Sequence, residues 1–96
     1  MSINKKDLIE IISKEQDQLP YKDIELSVKT IITSMTKSLM KGERIEIRGF
    51  GSFGLRYRKA RIGRNPKSGQ SVEIEERYVP HFKPGKSLRE RVKQKL

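Results

Sequence analysis

A chain of 96 residues, 33% hydrophobic and without tryptophan, fits one small domain with a thin core, so a free-standing monomer is marginal and pairing with a second chain is expected. The absence of cysteine excludes a disulfide framework and a thiolate metal site, and no stretch approaches the roughly 18 apolar residues of a membrane span. The net charge of +10 is unevenly placed: residues 1–46 carry eight basic and eight acidic side chains, residues 47–96 fourteen and four, which points to a polyanionic partner, nucleic acid before an anionic membrane.

The first residues, Met1 to Asp7, lack the apolar run of a signal peptide, and a soluble intracellular protein is expected. Asn4 is a good N-cap for a helix from Lys5 to about Glu15, with Asp7 placed where the helix dipole favours an acid. Leu8, Ile9, Ile11 and Ile12 give that helix an apolar face. A second helix follows Leu19-Pro20, since proline is tolerated at a helix start. Its stripe is Ile24, Val28, Ile31, Ile32, Met35 and Leu39, and Gly42 closes it as a natural C′ residue.

The pattern then turns to β. Arg44-Ile45-Glu46-Ile47-Arg48 alternates, which predicts a strand with Ile45 and Ile47 facing inward. Gly49-Phe50-Gly51 reads as a tight turn, and Phe53, Leu55 and Tyr57 alternate with Gly54, Arg56 and Arg58 in a second strand. Residues Arg61 to Gln70, rich in Gly, Pro, Asn and Arg, read as a hairpin tip. A third strand returns from Val72 and ends near Phe82, and Pro84-Gly85-Lys86-Ser87 starts a short helix carrying Leu88 and Val92. The expected fold is α+β: a helical hairpin base, a three-stranded antiparallel sheet with a long β-ribbon arm, and a short C-terminal helix. We read residues 1–96 as one domain, with the helical base at 1–42, sheet and arm at 43–82 and the last helix at 84–96.

The arm, from Arg56 to about Glu76, holds Arg56, Arg58, Lys59, Arg61, Arg64 and Lys67 with no acid before Glu73. Ten residues per strand would reach about 33 Å. An ordinary solvated loop is the alternative, but such unopposed charge is costly unless a polyanion neutralises it. Pro66, in Arg64-Asn65-Pro66-Lys67, is either plain turn chemistry or a rigid wedge for a base step; the residues alone favour the turn.

Two cofactor-like matches fail. Gly49-Phe50-Gly51-Ser52-Phe53-Gly54 fits a dinucleotide fingerprint, but a strand follows where a helix is required. Gly85-Lys86-Ser87 half-fits a phosphate loop, but Pro80 stands where its first glycine belongs. The helix start beside Lys83 and Lys86 can still hold a DNA phosphate. His81, the one histidine, has no partners for a metal site or a catalytic dyad, so no cofactor and no enzyme activity are expected; contact with phosphate is open to it. The run Lys86, Arg89, Arg91, Lys93 and Lys95, opposed by Glu90, is equally a solvated face or a set of phosphate contacts. A membrane-surface role fails because the cations lie on a β-arm and not on an amphipathic helix.

Three stretches, Gly42 to Phe53, Gly63 to Gly69 and Tyr78 to Lys86, resemble the bacterial HU/integration host factor family of DNA-bending proteins, and the likeness covers nearly the whole chain. Glu46-Ile47-Arg48 and Tyr78 to Lys86 are most similar to the beta-type chains of that family. The resemblance implies an intertwined dimer, with either a homologous alpha-type chain or a second copy, that wraps and sharply bends double-stranded DNA from the minor groove. Such a protein is cytoplasmic and nucleoid-associated, and supports recombination, transcription, replication and nucleoid organisation.

The same resemblance assigns roles. Pro66 is the intercalating residue, which reverses the weighting above, and Arg64, Asn65 and Lys67 support it. Arg48 reads the minor groove, positioned by Glu46, and Lys5, Lys83 and Lys86 clamp flanking phosphates. Arg44, the arm cations and His81 complete the DNA-binding set. Ile62 replaces a more commonly polar residue, and the tail from Arg91 is more basic than the pattern. A non-specific HU-like homodimer is the first alternative and a basic RNA-binding module the second.

Overall fold

The computed structural model describes residues 1–95; Leu96, the last residue of the expected C-terminal helix, lies outside the described residues. The elements in chain order are α1 (Lys5–Glu15), α2 (Tyr21–Met40), β1 (Ile45–Ile47), β2 (Gly51–Arg58), β3 (Arg61–Arg64), β4 (Ser71–Ile74), β5 (Arg77–Pro84) and α3 (Lys86–Lys95). They form two compact units, Met1–Lys37 and a second beginning at Ser38.

In the first unit, α1 opens with a full capping box. The Asn4 side chain accepts from the Asp7 amide at 2.8 Å, and the Asp7 carboxylate accepts from the Asn4 amide at 3.2 Å, so two orphan donors are satisfied. The Pro20 carbonyl accepts the first amides of α2, from Asp23 and Ile24, which puts Pro20 just outside the helix, one position before the expected start. The core is Ile9, Ile24 and Val28, with Ile12 packed against it. At about 1.5–3 kcal/mol per buried aliphatic side chain, this is a small core.

The expected stripe along α2 is buried only at its start. Ile31 and Ile32 are exposed, and Met35 and Leu39 are half-buried. Leu26 and Met40 are exposed as well. The helix ends as expected: Gly42 has φ +79°, its amide bonds the Leu39 carbonyl, and the Glu43 amide bonds the Ser38 carbonyl. That pair of bonds is the Schellman arrangement.

The second unit holds a three-stranded antiparallel sheet in the order β1-β2-β5 and a separate two-stranded ribbon, β3-β4. Five strands therefore stand where three were expected: the returning strand is interrupted, and β3 forms at Arg61–Arg64, within the stretch read as a hairpin tip. Pairing stops after Arg58 opposite Arg77 and resumes at Arg61 opposite Ile74. Two residues on each side, Lys59-Ala60 and Glu75-Glu76, leave the ladder, so the register is the same above and below the gap.

One sheet face is apolar. Phe53 lies opposite Phe82, with ring centroids 4.7 Å apart, and Phe50 adds a second contact to Phe82 at 5.3 Å. Gly51 is required here, since a Cβ would come within 2.6 Å of the Lys83 carbonyl and 2.7 Å of the Phe82 ring. Ile45 is half-buried, but Ile47 is exposed, contrary to the inward position expected for it; it sits at the end of β1, where the chain turns away. Pro84 closes β5 instead of opening the last helix, and the Gly85 amide bonds the Phe50 carbonyl at 2.8 Å. That bond fixes the start of α3 to the β1–β2 turn.

A candidate nucleic-acid interface

Alternation gives the sheet a second, polar face. The register places Ser52 opposite Lys83, Gly54 opposite His81 and Arg56 opposite Val79, and residues directly opposite share a face. Arg44, Arg56, His81 and Lys83 line one shallow hollow with Ser52, Gly54 and Leu55. Gly54 leaves its floor open, as nothing lies within 4 Å of where its Cβ would stand. His81 is half-buried there, while the cations are exposed.

At the rim, Arg44 Nε and Glu46 Oε1 are 3.0 Å apart, and the Arg44 guanidinium also donates to Ser52 Oγ at 3.2 Å. Glu46 is thus paired with Arg44, and the contact with Arg48 implied by resemblance is not formed in this structure. Arg48 stands at the corner of the following turn. The Phe50 amide bonds the Ile47 carbonyl at 2.9 Å, and Gly49 adopts φ +84°, as the third residue of a type II turn requires. The side chain of Arg48 is exposed.

Above the sheet, the arm carries its cations into solvent. Arg56, Arg58, Lys59, Arg61, Arg64 and Lys67 are all exposed. Arg77 lies directly opposite Arg58, and its place in the charge pattern was missed. Along the sequence Arg77 follows Glu73, Glu75 and Glu76 and looks neutralised; only the strand register reveals its like-charged neighbour.

The tip is closely hydrogen-bonded. The Asn65 amide bonds the Gln70 carbonyl at 2.8 Å, and the Gly69 amide bonds the Asn65 carbonyl at 2.7 Å. The Asn65 side-chain oxygen accepts from the Lys67 amide at 2.9 Å, an Asx turn that spans Pro66. Gly69 takes φ +73°, and Arg64 reaches back to its carbonyl at 3.1 Å. Pro66 is therefore held, exposed, at the outer corner of a defined loop.

At the root of the arm, the Tyr57 hydroxyl donates to Glu76 Oε2 at 2.6 Å, and the Tyr57 and Tyr78 rings pair at 5.5 Å. The hydrogen bond to Glu76, with smaller contributions from desolvation and Tyr78, pushes the Tyr57 phenol above its ordinary pKa. Lys83 and Lys86 bracket the start of α3, and Lys5 lies in the first turn of α1 in the other unit; all three are exposed. Among the described residues no group of three or more His, Cys, Asp or Glu is placed to hold a metal, and no helix is long and apolar enough to cross a membrane.

A sheet with a cationic face that extends into a basic two-stranded arm is the signature of one class. The chain belongs to the bacterial DNA-binding protein family, whose sequence model matches residues 3–93. Within it, the chain is 60% identical over 94 residues to integration host factor subunit beta of Teredinibacter turnerae, and 58% identical over 94 residues to that of Hahella chejuensis. In each case 98% of this chain and 96% of the relative are covered. Among solved structures it is similar to the Anabaena HU–DNA cocrystal structure, with a TM-score of 0.82 at 35% identity, covering 93% of this chain and 96% of that one. HU from Thermotoga maritima is similar at a TM-score of 0.63 and 37% identity, covering 93% and 97%.

Proposed function

We propose that this chain is a non-enzymatic architectural protein that binds double-stranded DNA through the minor groove and bends it sharply, working as one half of an intertwined dimer. The observation that carries this reading is Pro66, exposed at the corner of a hydrogen-bonded tip on a ribbon of cations. A rigid apolar wedge held this way can enter a base step, while Arg64, Asn65 and Lys67 engage the groove around it. The relatives named integration host factor subunit beta and the HU–DNA cocrystal neighbour support it.

In this reading Arg44, Arg56, Arg58, Lys59, Arg61 and Arg77 form a cationic track, and His81 lies beside it as a polar contact. Lys5, Lys83 and Lys86 clamp phosphates at the flanks, and helix starts add their dipoles. Arg48, at its turn corner, reads the minor groove, and Glu46 exchanges Arg44 for Arg48 when DNA is bound. Bending and unstacking cost several kcal/mol, offset by the longer wrapped contact, so easily kinked sequences are preferred. The exposed apolar residues Leu26, Ile31, Ile32 and Met40 form part of the surface a partner chain covers, either an alpha-type chain or a second copy. In the same reading the protein works in the bacterial cytoplasm, on the nucleoid, and serves recombination, transcription and replication through the bend.

The test is binding to a site-bearing and a scrambled duplex at fixed salt, with the chain alone and with an alpha-type partner, alongside Arg48→Ala. Site preference that Arg48→Ala abolishes supports the reading. Bending without preference moves the chain to a non-specific role, and tighter binding to duplex RNA than to DNA overturns it.

A further inference from the structure

Resting on that reading, we propose that Tyr57 and Glu76 form a latch at the root of the arm, which fixes how the ribbon leaves the sheet and thereby positions Pro66. Both strands lose their backbone pairing over the same two-residue gap, between Arg58 opposite Arg77 and Arg61 opposite Ile74. A gap of equal length on both sides preserves register but removes the hydrogen bonds that resist flexing, so the ribbon has a joint there. Tyr57 is on the sheet side of the joint and Glu76 lies within it on the returning chain. Their hydrogen bond of 2.6 Å ties one to the other.

Tyr57 is itself anchored. It lies opposite Tyr78 on the sheet, and the two rings pack at 5.5 Å. The latch therefore transmits the orientation of the sheet to the first residues of the arm. A tyrosine phenol is protonated under ordinary conditions and so donates to Glu76, and that hydrogen bond in turn raises its pKa. Glu76 is also one of only four acids in the second half of the chain. An acid in a phosphate-binding arm opposes binding, and of the acids there Glu76 is the one whose carboxylate accepts from a tyrosine hydroxyl. Tyr57 and Glu76 are positioning residues in this scheme and need no contact with DNA.

The experiment compares the full-length protein with Tyr57→Phe, Glu76→Ala, the double variant and Glu76→Gln. The first readout is amide hydrogen exchange across β3 and β4 in the free protein. The second is the bend measured by energy transfer on a labelled duplex at saturating protein. Tyr57→Phe keeps the ring pair with Tyr78, so the sheet stays folded. We expect exchange in β3 and β4 to rise about fivefold in Tyr57→Phe and in Glu76→Ala, the scale of one side-chain hydrogen bond. The double variant should be no worse than either single one, and Glu76→Gln, which keeps an acceptor, should stay near wild type. The distribution of bend angles should broaden in the same variants. Unchanged exchange in both single variants, or effects that simply add in the double, overturns the latch. If the wild-type protein does not bend DNA, the functional reading fails while the exchange data still decide whether the latch orders the arm.

Discussion

Arg58 and Arg77 lie directly opposite each other at the last pair of the β2–β5 ladder, immediately below the joint of the arm. Like charges in that relation are destabilising, by about 0.2–1 kcal/mol for a cross-strand pair. In the proposed DNA-bound state, a phosphate between the two would remove that repulsion. Replacing Arg77 with Gln should therefore raise the stability of the free protein by about 0.2–1 kcal/mol in urea titration. It should also make the negative slope of log affinity against log salt shallower by about one, as loss of one phosphate contact requires. A destabilised variant with an unchanged salt slope would show that Arg77 is a structural residue.

The tip offers a local test. Asn65→Ala removes the acceptor for the Lys67 amide and should cost the loop about 1 kcal/mol of local order. The amides of Lys67 and Gly69 should exchange faster, with the sheet amides unaffected. DNA bending should weaken less than in a variant lacking Pro66, because the wedge is present but poorly aimed. Equal exchange at Lys67 and Gly69 in the two proteins would dismiss the Asx turn as a source of rigidity.

Much of this fold is readable from individual residues, and the exceptions have physical reasons. Asn4, Pro20 and Gly42 are local signals with local consequences, and the ends of α1 and α2 fall at them or within one position. The basic arm is legible for the same reason, since its charge is a run along the chain. Ile31 and Ile32 belong to an apolar stripe and are exposed, because periodicity marks a face of a helix and not what lies against it; Ile47 alternates as an inward residue and is exposed because β1 ends there. The opposition of Arg58 and Arg77, and the gap between the two ladders, depend on register across some twenty residues of chain, which periodicity does not encode. Tyr57 looked like one more alternating aromatic, and its bond to Glu76 appears only once the strands are aligned.

Tyr57 also gives a pH signature. Its pKa is raised in the folded protein by the Glu76 hydrogen bond, so the folded state favours the protonated phenol. The stability it contributes is complete below the ordinary tyrosine pKa and is lost as pH rises through the higher folded value. Absorbance titration of wild type minus Tyr57→Phe should show a phenol ionising above the ordinary tyrosine range, and in Glu76→Ala that transition should move back down. A Tyr57 transition indifferent to Glu76→Ala would separate the shift from this contact.

The cap of α1 bears on one proposed phosphate contact, Lys5, and not on the wedge. Asn4→Ala breaks the capping box and should lower stability by about 1 kcal/mol in chemical denaturation. At concentrations where the protein stays folded and associated, DNA affinity should fall no further than in Lys5→Ala, and the bend angle should be unchanged. A reduced bend under those conditions would tie the start of α1 directly to DNA geometry.

The central claim is that Pro66 is a wedge. Energy transfer across a doubly labelled duplex, at saturating protein and fixed salt, tests it most directly by comparing wild type with Pro66→Ala. The cationic track, Arg44, Arg56, Arg58 and Arg61 among it, is intact in that variant, so both proteins should bind, with affinity that falls steeply as salt rises. Wild type should bring the duplex ends sharply together, and Pro66→Ala should leave the duplex far straighter. An equal bend in the two proteins would contradict the wedge and assign the bending to the charge of the arm alone.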